Sequence, residues 1–216
     1  MLPLRDQAPT LRTPAITIGL IVLNILAFGL ELASVDTNAF IVTWGFVPAR
    51  LLAGEPMGVL GLLTSQFLHA GFAHIGMNLW YLHIFGDNVE EALGRGRYLA
   101  FYLTAGVAAA LAQLLSDPQS TIPMIGASGA IAGVLGAYLA LFPKNRIITL
   151  IPGGGITTLP SALVLGSWFV LQLFSGTASI VGGGEGGGVA FWAHAGGFAF
   201  GWIVARIFVT RPTSPT

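Results

Sequence analysis

The chain has 216 residues, 54% hydrophobic and only 8% charged, with zero net charge and no cysteine; its mean hydropathy is +0.79. Soluble domains carry roughly 25% charged residues, so too few charges remain to cover a water-exposed surface, and the chain reads as an integral membrane protein. The lack of cysteine excludes disulfides, thiolate metal sites and a cysteine nucleophile, and no basic cluster points to a nucleic-acid partner.

Six stretches approach the ~20 residues that a membrane-spanning helix needs. They are Pro14–Leu32, Phe72–Glu90, Tyr98–Leu115, Ile125–Phe142, Leu159–Ser175 and Val189–Val209. Arg5 and Arg12 precede the first as they would in a secretory signal. Its apolar run is longer than the usual ~7–15 residues, however, and no small-x-small cleavage site follows Glu31, so a retained anchor is expected. Between the first two spans, Ala33–Gly71 carries Trp44, Pro48, Arg50 and Pro56. Its Leu51-Leu52 and Leu60–Leu63 runs are too short to span and are expected as helical pieces at the interface, anchored by Trp44 and Arg50. Asp87, Glu90 and Glu91 with Arg95 and Arg97 read as a solvated cluster, and Gly182–Gly188, with Glu185 among six glycines, as either a plain linker or a mobile cap. The expected fold class is all-α, a polytopic bundle of six transmembrane helices, with residues 1–13 and 210–216 as cytoplasmic tails around a body at 14–209.

The basic residues orient this bundle. With the N-terminus inside, Arg5, Arg12, Arg95, Arg97, Lys144, Arg146, Arg206 and Arg211 face the cytoplasm, and only Arg50 lies outside. That follows the positive-inside bias and places both ends in the cytoplasm of a cell membrane, of bacterial inner-membrane type. The second, fourth and sixth spans then run in one direction. His74 and Asn78, Ser128, and His194 each come early in one of these spans, so at ~1.5 Å per residue they share the outer half of the bilayer.

Polar side chains are expensive there, by at least ~2.5 kcal/mol for an ionised one without a partner, and mark function by default. Helical phase adds contact to depth. Gly197 and Gly201 share a face with His194, and Ala132, Leu135 and Gly136 share one with Ser128, alongside Gly129 and Gly133. Small residues let membrane helices approach closely, and a crossing of these faces would bring the Ser128 hydroxyl to His194.

Four features in this order resemble the rhomboid family of intramembrane serine proteases, over about Trp44 to Gly201. They are His74-xxx-Asn78 following His69, Gly86-Asp87-Asn88-Val89-Glu90, Gly126-Ala127-Ser128-Gly129, and Ala193-His194-Ala195-Gly196-Gly197. The resemblance implies Ser128 as nucleophile, His194 as general base, and His74 with Asn78 at the oxyanion site, with His69, Gly126, Gly129 and Gly197 as possible supports. It also implies other membrane proteins' transmembrane helices as substrates, cleaved after a small residue, with no cofactor and no metal.

The chemistry of the residues agrees. A serine hydroxyl needs a base, and histidine titrates in the right range. All nine acidic residues lie in loops or at span ends; Asp87 is nine residues beyond Asn78, ~13 Å along the axis, so the site reads as a dyad without an aspartate. His74 and Asn78 share a helical face and can donate to an oxyanion together with the Ser128 backbone N–H. His83 falls on roughly the opposite face and reads as structural. In some rhomboids an aromatic residue four positions after the serine packs on the histidine. Here that position is Ala132, which leaves Phe191, Trp192 or Phe198 to orient the ring. A zinc protease on His69, His74 and His194 lacks a His-Glu-x-x-His helix, and an aspartyl protease lacks aspartates within spans. A six-span transporter, expected to show midplane charges or a halved repeat, and a non-proteolytic rhomboid-like binder remain as the other classes.

Overall fold

Apolar runs free of interior proline form the helices, and the two prolines that fall within helices start them. Pro48 and Pro56 sit in the first turn of α3 (Pro48–Leu52) and α4 (Pro56–Thr64), where the N–H they lack has no helical partner anyway. The computed structural model describes residues 1–181 and 190–208; the Gly182–Gly188 segment and the C-terminal tail fall outside the described residues. The remaining helices are α1 (Ala15–Ala33), α2 (Thr37–Trp44), α5 (Phe72–Leu93), α6 (Arg95–Ser116), α7 (Ser128–Leu141), α8 (Ser161–Val181) and α9 (Phe191–Phe208). Six of these, α1 and α5 to α9, coincide with the six apolar stretches, and the connection between the first two is helical as expected.

Among the described residues, three helices are long and apolar enough to cross a membrane by length and composition alone: Ala15–Ala33, Arg95–Ser116 and Ser161–Ala178. Their outward faces are greasy. Ile18, Val22, Ile25, Leu26 and Leu30 on α1 and Val170, Leu171 and Phe174 on α8 are all exposed, which suits contact with lipid tails rather than water.

Helix α7 lies at the centre. From Gly129 to Tyr138 every residue is buried, the signature of a helix surrounded by protein on all sides. Tyr98 and Tyr102 of α6, Leu82 and Phe85 of α5, Leu165 of α8 and Phe198 of α9 complete the core around it.

Helix α9 crosses α7 at backbone distance. A Cβ added at Gly197 would collide with the carbonyl of Gly129, one at Gly201 with the carbonyl of Gly133, and one at Gly136 with the carbonyl of Phe198. The shared small-residue faces read from the sequence are therefore the faces in contact.

Two expectations are corrected. The chain is not purely α-helical: β1 (Leu2–Asp6), β2 (Arg146–Ile151) and β3 (Gly155–Pro160) form a three-stranded antiparallel sheet in that order. Residues 146–151 are rich in β-branched side chains, and Gly153 (φ +76°) with Gly155 (φ +77°) turns β2 into β3. The first residues, read as a tail, pair with β2 in the register Leu2↔Leu150 to Asp6↔Ile147. The Tyr138 hydroxyl donates to Asp6 Oδ2 at 2.8 Å, and Trp80 Nε1–H donates to the Pro3 carbonyl at 2.8 Å. The sheet thus closes the end of α7 farthest from Ser128.

The acidic cluster is not simply solvated either. Glu90 is buried and accepts from Ile16 N (3.0 Å), Thr17 N (2.8 Å) and Thr17 Oγ1 (2.9 Å), capping the otherwise unpaired N–H groups at the start of α1. Asp87 accepts from Thr10 Oγ1 at 2.7 Å and Glu91 from Leu11 N at 2.8 Å. These carboxylates tie the N-terminal segment to α5.

Burial holds the Asp6 carboxyl above the usual carboxylate range, outweighing the Tyr138 hydrogen bond that favours its ionised form. A carboxyl with a raised folded-state pKa contributes stability that is complete below the unfolded value and lost as pH rises through the folded one. Asp6→Asn keeps an acceptor for Tyr138 without the charge. Thermal unfolding in detergent between about pH 4 and pH 7 should show wild type losing stability relative to the variant as pH rises; parallel curves would discount the Asp6 contribution.

Candidate active site

Ser128 is the first residue of α7, and the chain before it is clamped. Phe46 and Met124 exchange both backbone hydrogen bonds (3.0 and 2.8 Å), and Gly126 N–H donates to the Ser65 carbonyl at 2.9 Å. The long connection between α1 and α5 therefore fixes the turn that presents the serine. Gly126 takes φ +124°, and a Cβ there would stand 2.8 Å from His74 Nε2 and 3.4 Å from Ser128 Oγ. Glycine is required twice over, by the dihedral and by the space.

His194 lies in the first turn of α9. Its Nε2 is 2.8 Å from Ser128 Oγ across 66 residues of sequence. The crossing of Gly197 against Gly129 sets this distance, since each glycine is within a turn of its polar neighbour. The start of α9 is also fixed from α6, where Gln113 Oε1 accepts from Ala193 N–H at 3.3 Å.

The structure brings His74 of α5 to the same place. The His74 ring lies against Gly126, and its Nδ1 accepts from Ala70 N–H at 3.3 Å, which leaves Nε2 facing the serine turn. Asn78, one helical turn on, is buried, and its side-chain nitrogen has no acceptor among the described residues. A buried donor without an acceptor costs about 1–3 kcal/mol, so a group that accepts from it would be favoured.

His69 is fully buried. Its backbone N–H donates to Glu31 Oε2 at 3.0 Å, and its ring meets His74 edge-on at a centroid distance of 5.1 Å. It backs His74 and ties the loop before α5 to the end of α1. His83 is exposed and lies outside this group.

The surroundings of His194 differ from the sequence expectation. Trp192 packs against Gly176, and Phe198 stacks on Phe169 at 4.6 Å; neither faces the imidazole. Two residues of α8 do. The Trp168 ring lies 5.8 Å away at 35°, and Gln172 Oε1 is 3.0 Å from Nδ1. Sequence reasoning missed both. The available signal was a glutamine within an apolar span, four residues after a tryptophan and so on one helical face. No group of three or more His, Asp or Glu side chains suited to a metal occurs among the described residues.

Comparison with known proteins fits this geometry. A model of the rhomboid domain matches residues 56–211. The chain belongs to the rhomboid family. It is 40% identical to the rhomboid protease GluP of Bacillus subtilis over 136 residues, which is 62% of this chain and 26% of that protein. It is 31% identical to the mitochondrial rhomboid protein 1 of Saccharomyces cerevisiae over 120 residues, 51% of this chain and 35% of that one. With the human mitochondrial presenilin-associated rhomboid-like protein, identity is 27% over 195 residues, 86% of this chain and 46% of the relative. The chain thus spans between about a quarter and a half of these relatives' lengths. This rhomboid is a membrane protein whose family carries protease activity.

The close crossing predicts a specific vulnerability. Gly197→Ala inserts a methyl where the Gly129 carbonyl stands, and overpacking of this kind costs roughly 1–3 kcal/mol. The variant should melt lower in detergent and lose reactivity at Ser128, whereas Gly19→Ala, a position where a Cβ meets nothing within 4 Å, should do neither. Equal melting temperatures for the two variants would refute backbone contact at the crossing.

Proposed function

We propose that this rhomboid is an intramembrane serine endopeptidase with Ser128 as nucleophile and His194 as general base. The observation that carries the reading is the 2.8 Å contact between Ser128 Oγ and His194 Nε2, made by two helices that cross within the apolar bundle. In the first step the Ser128 proton passes to Nε2 as Oγ bonds to the substrate carbonyl carbon. The tetrahedral oxyanion is met by the Asn78 amide, by His74 and by the backbone N–H of Ser128, one of the first-turn N–H groups that a helix leaves free. The unpaired Asn78 nitrogen supports its assignment as a donor. Collapse breaks the C–N bond, with Nε2–H protonating the leaving amine, and water then hydrolyses the acyl-enzyme by the same base.

The substrates in this reading are helices of other membrane proteins, and six spans hold the site, with both termini cytoplasmic as the basic residues indicate. A 14-residue α7 measures ~21 Å, short of the ~30 Å hydrocarbon core, which favours a serine recessed below the membrane surface. A recessed site must receive an extended backbone, so segments weakened by glycine or proline are favoured. A six-span transporter has less support, because Ser128 is paired with a histidine at hydrogen-bond distance and a second histidine lies against the turn before it.

Labelling with a fluorophosphonate tests the class. Ser128→Ala and His194→Ala should each abolish labelling and cleavage of single-span membrane proteins, with the double variant little worse because the pair acts as one unit. Full cleavage by either single variant would end the dyad reading.

Asn78→Ala tests the oxyanion site. Loss of one such donor typically lowers turnover ~10²–10³-fold, with the remaining donors softening the loss, while labelling at Ser128 persists. Wild-type turnover in folded Asn78→Ala would return this residue to an interhelical role.

A further inference from the structure

In a neutral imidazole one nitrogen carries the proton and the other accepts. For His194 to accept from Ser128 at Nε2, its proton must reside on Nδ1, and something must hold it there. Soluble triads use an aspartate for this. Among the described residues no carboxylate bonds to this ring; the group that meets Nδ1 is Gln172 Oε1, at 3.0 Å. Gln172 is 9% exposed, on a helix whose neighbouring residues Val170, Leu171 and Phe174 face outward. Trp168, one turn earlier, lies beside the same ring, and Ala132 leaves the α7 side of the pocket without an aromatic support.

We infer that Gln172 is the positioning residue of the dyad: its side-chain carbonyl accepts from His194 Nδ1–H, selects the tautomer whose Nε2 faces Ser128, and fixes the plane of the ring. This deepens the Ser128–His194 reading and rests on it. The choice of an amide over a carboxylate has a physical basis. An ionised carboxylate within an apolar helix is costly unless fully paired, whereas an amide provides the acceptor while uncharged. Its carbonyl dipole also favours the positive ring formed when Nε2 takes the serine proton. The contact reaches from α8 to α9, so it makes correct seating of α8 a condition for a competent base. Trp168 limits the remaining freedom by closing one side of the imidazole.

The test uses the full chain in detergent with histidines labelled with 15N, the His194 signals being those lost in His194→Ala. Wild type should show the neutral ring protonated at Nδ1. Gln172→Met, of similar length and without an acceptor, should shift the ring towards the Nε2-protonated form. The rate of fluorophosphonate labelling at Ser128 in that variant should fall roughly 10- to 100-fold. That is well short of the ~10⁴-fold loss when a triad aspartate becomes an amide and enforces the wrong tautomer, because methionine leaves both tautomers open. Gln172→Glu, which retains an acceptor oxygen, should label faster than Gln172→Met. A merely structural glutamine would alter melting temperature without moving the tautomer signal. An Nε2-protonated ring in wild type overturns the inference without any variant having to fold, as does a folded Gln172→Met with wild-type tautomer and labelling rate. Failure of the dyad reading is recognised separately, by wild-type labelling rates in His194→Ala, since the tautomer measurement does not depend on reactivity.

Discussion

The contact of α7 with α9, backbone against backbone, is the constraint on which the rest of this structure depends. Apolar helices in a lipid environment have no hydrophobic drive towards one another and associate through close packing and polar contacts. Gly197 on the Gly129 carbonyl, Gly201 on the Gly133 carbonyl and Gly136 on the Phe198 carbonyl allow that packing along two turns. The first of these contacts lies within one turn of both Ser128 and His194. Register at the crossing and distance between the two side chains are therefore one quantity.

Around this crossing, the chain separates the duties of its polar groups. Carboxylates serve at helix ends, where unpaired backbone N–H groups need acceptors: Glu90 at the start of α1, and Glu31 on the backbone of His69. In the interior, the polar partners of the proposed dyad are the amide of Gln172 and, on the oxyanion side, Asn78 and His74. That division follows from the medium. A carboxylate at a helix N-terminus, as Glu90 is for α1, meets a favourable dipole and backbone donors, whereas an ionised carboxylate beside the imidazole would have to sit within an apolar helix.

Two features outside the helical bundle give the site its rigidity. The connection before α5 holds the chain ahead of Ser128 through the Phe46–Met124 pair and the Ser65 carbonyl. At the opposite end of α7, the three-stranded sheet engages Tyr138 through Asp6. A central helix held at both ends, with all of its middle buried, keeps its first residue in place, as the nucleophile proposed here requires.

The sequence by itself determined the membrane class, the six apolar helices, the rhomboid family and the residues Ser128, His194 and His74 that converge on one place, with Asn78 one turn beyond His74 on α5. It could do so because composition sets the solvent, hydrophobic run length sets the helices, and rare polar residues stand out in an apolar chain. The small-residue faces were legible for the same reason, since 3.6-residue periodicity fixes which positions of a helix meet. Only the tertiary structure decided what lies against them. Leu2–Asp6 becomes a strand because residues 146–151, more than a hundred positions away, offer it an edge. Glu90 becomes a cap because the start of α1 arrives beside it. Gln172 and Trp168, rather than Trp192 and Phe198, neighbour the imidazole because α8 packs on α9 with that face turned inward. Periodicity gives each helix a face, but the partner of that face is set by rotation and crossing, which depend on the packing of the whole bundle.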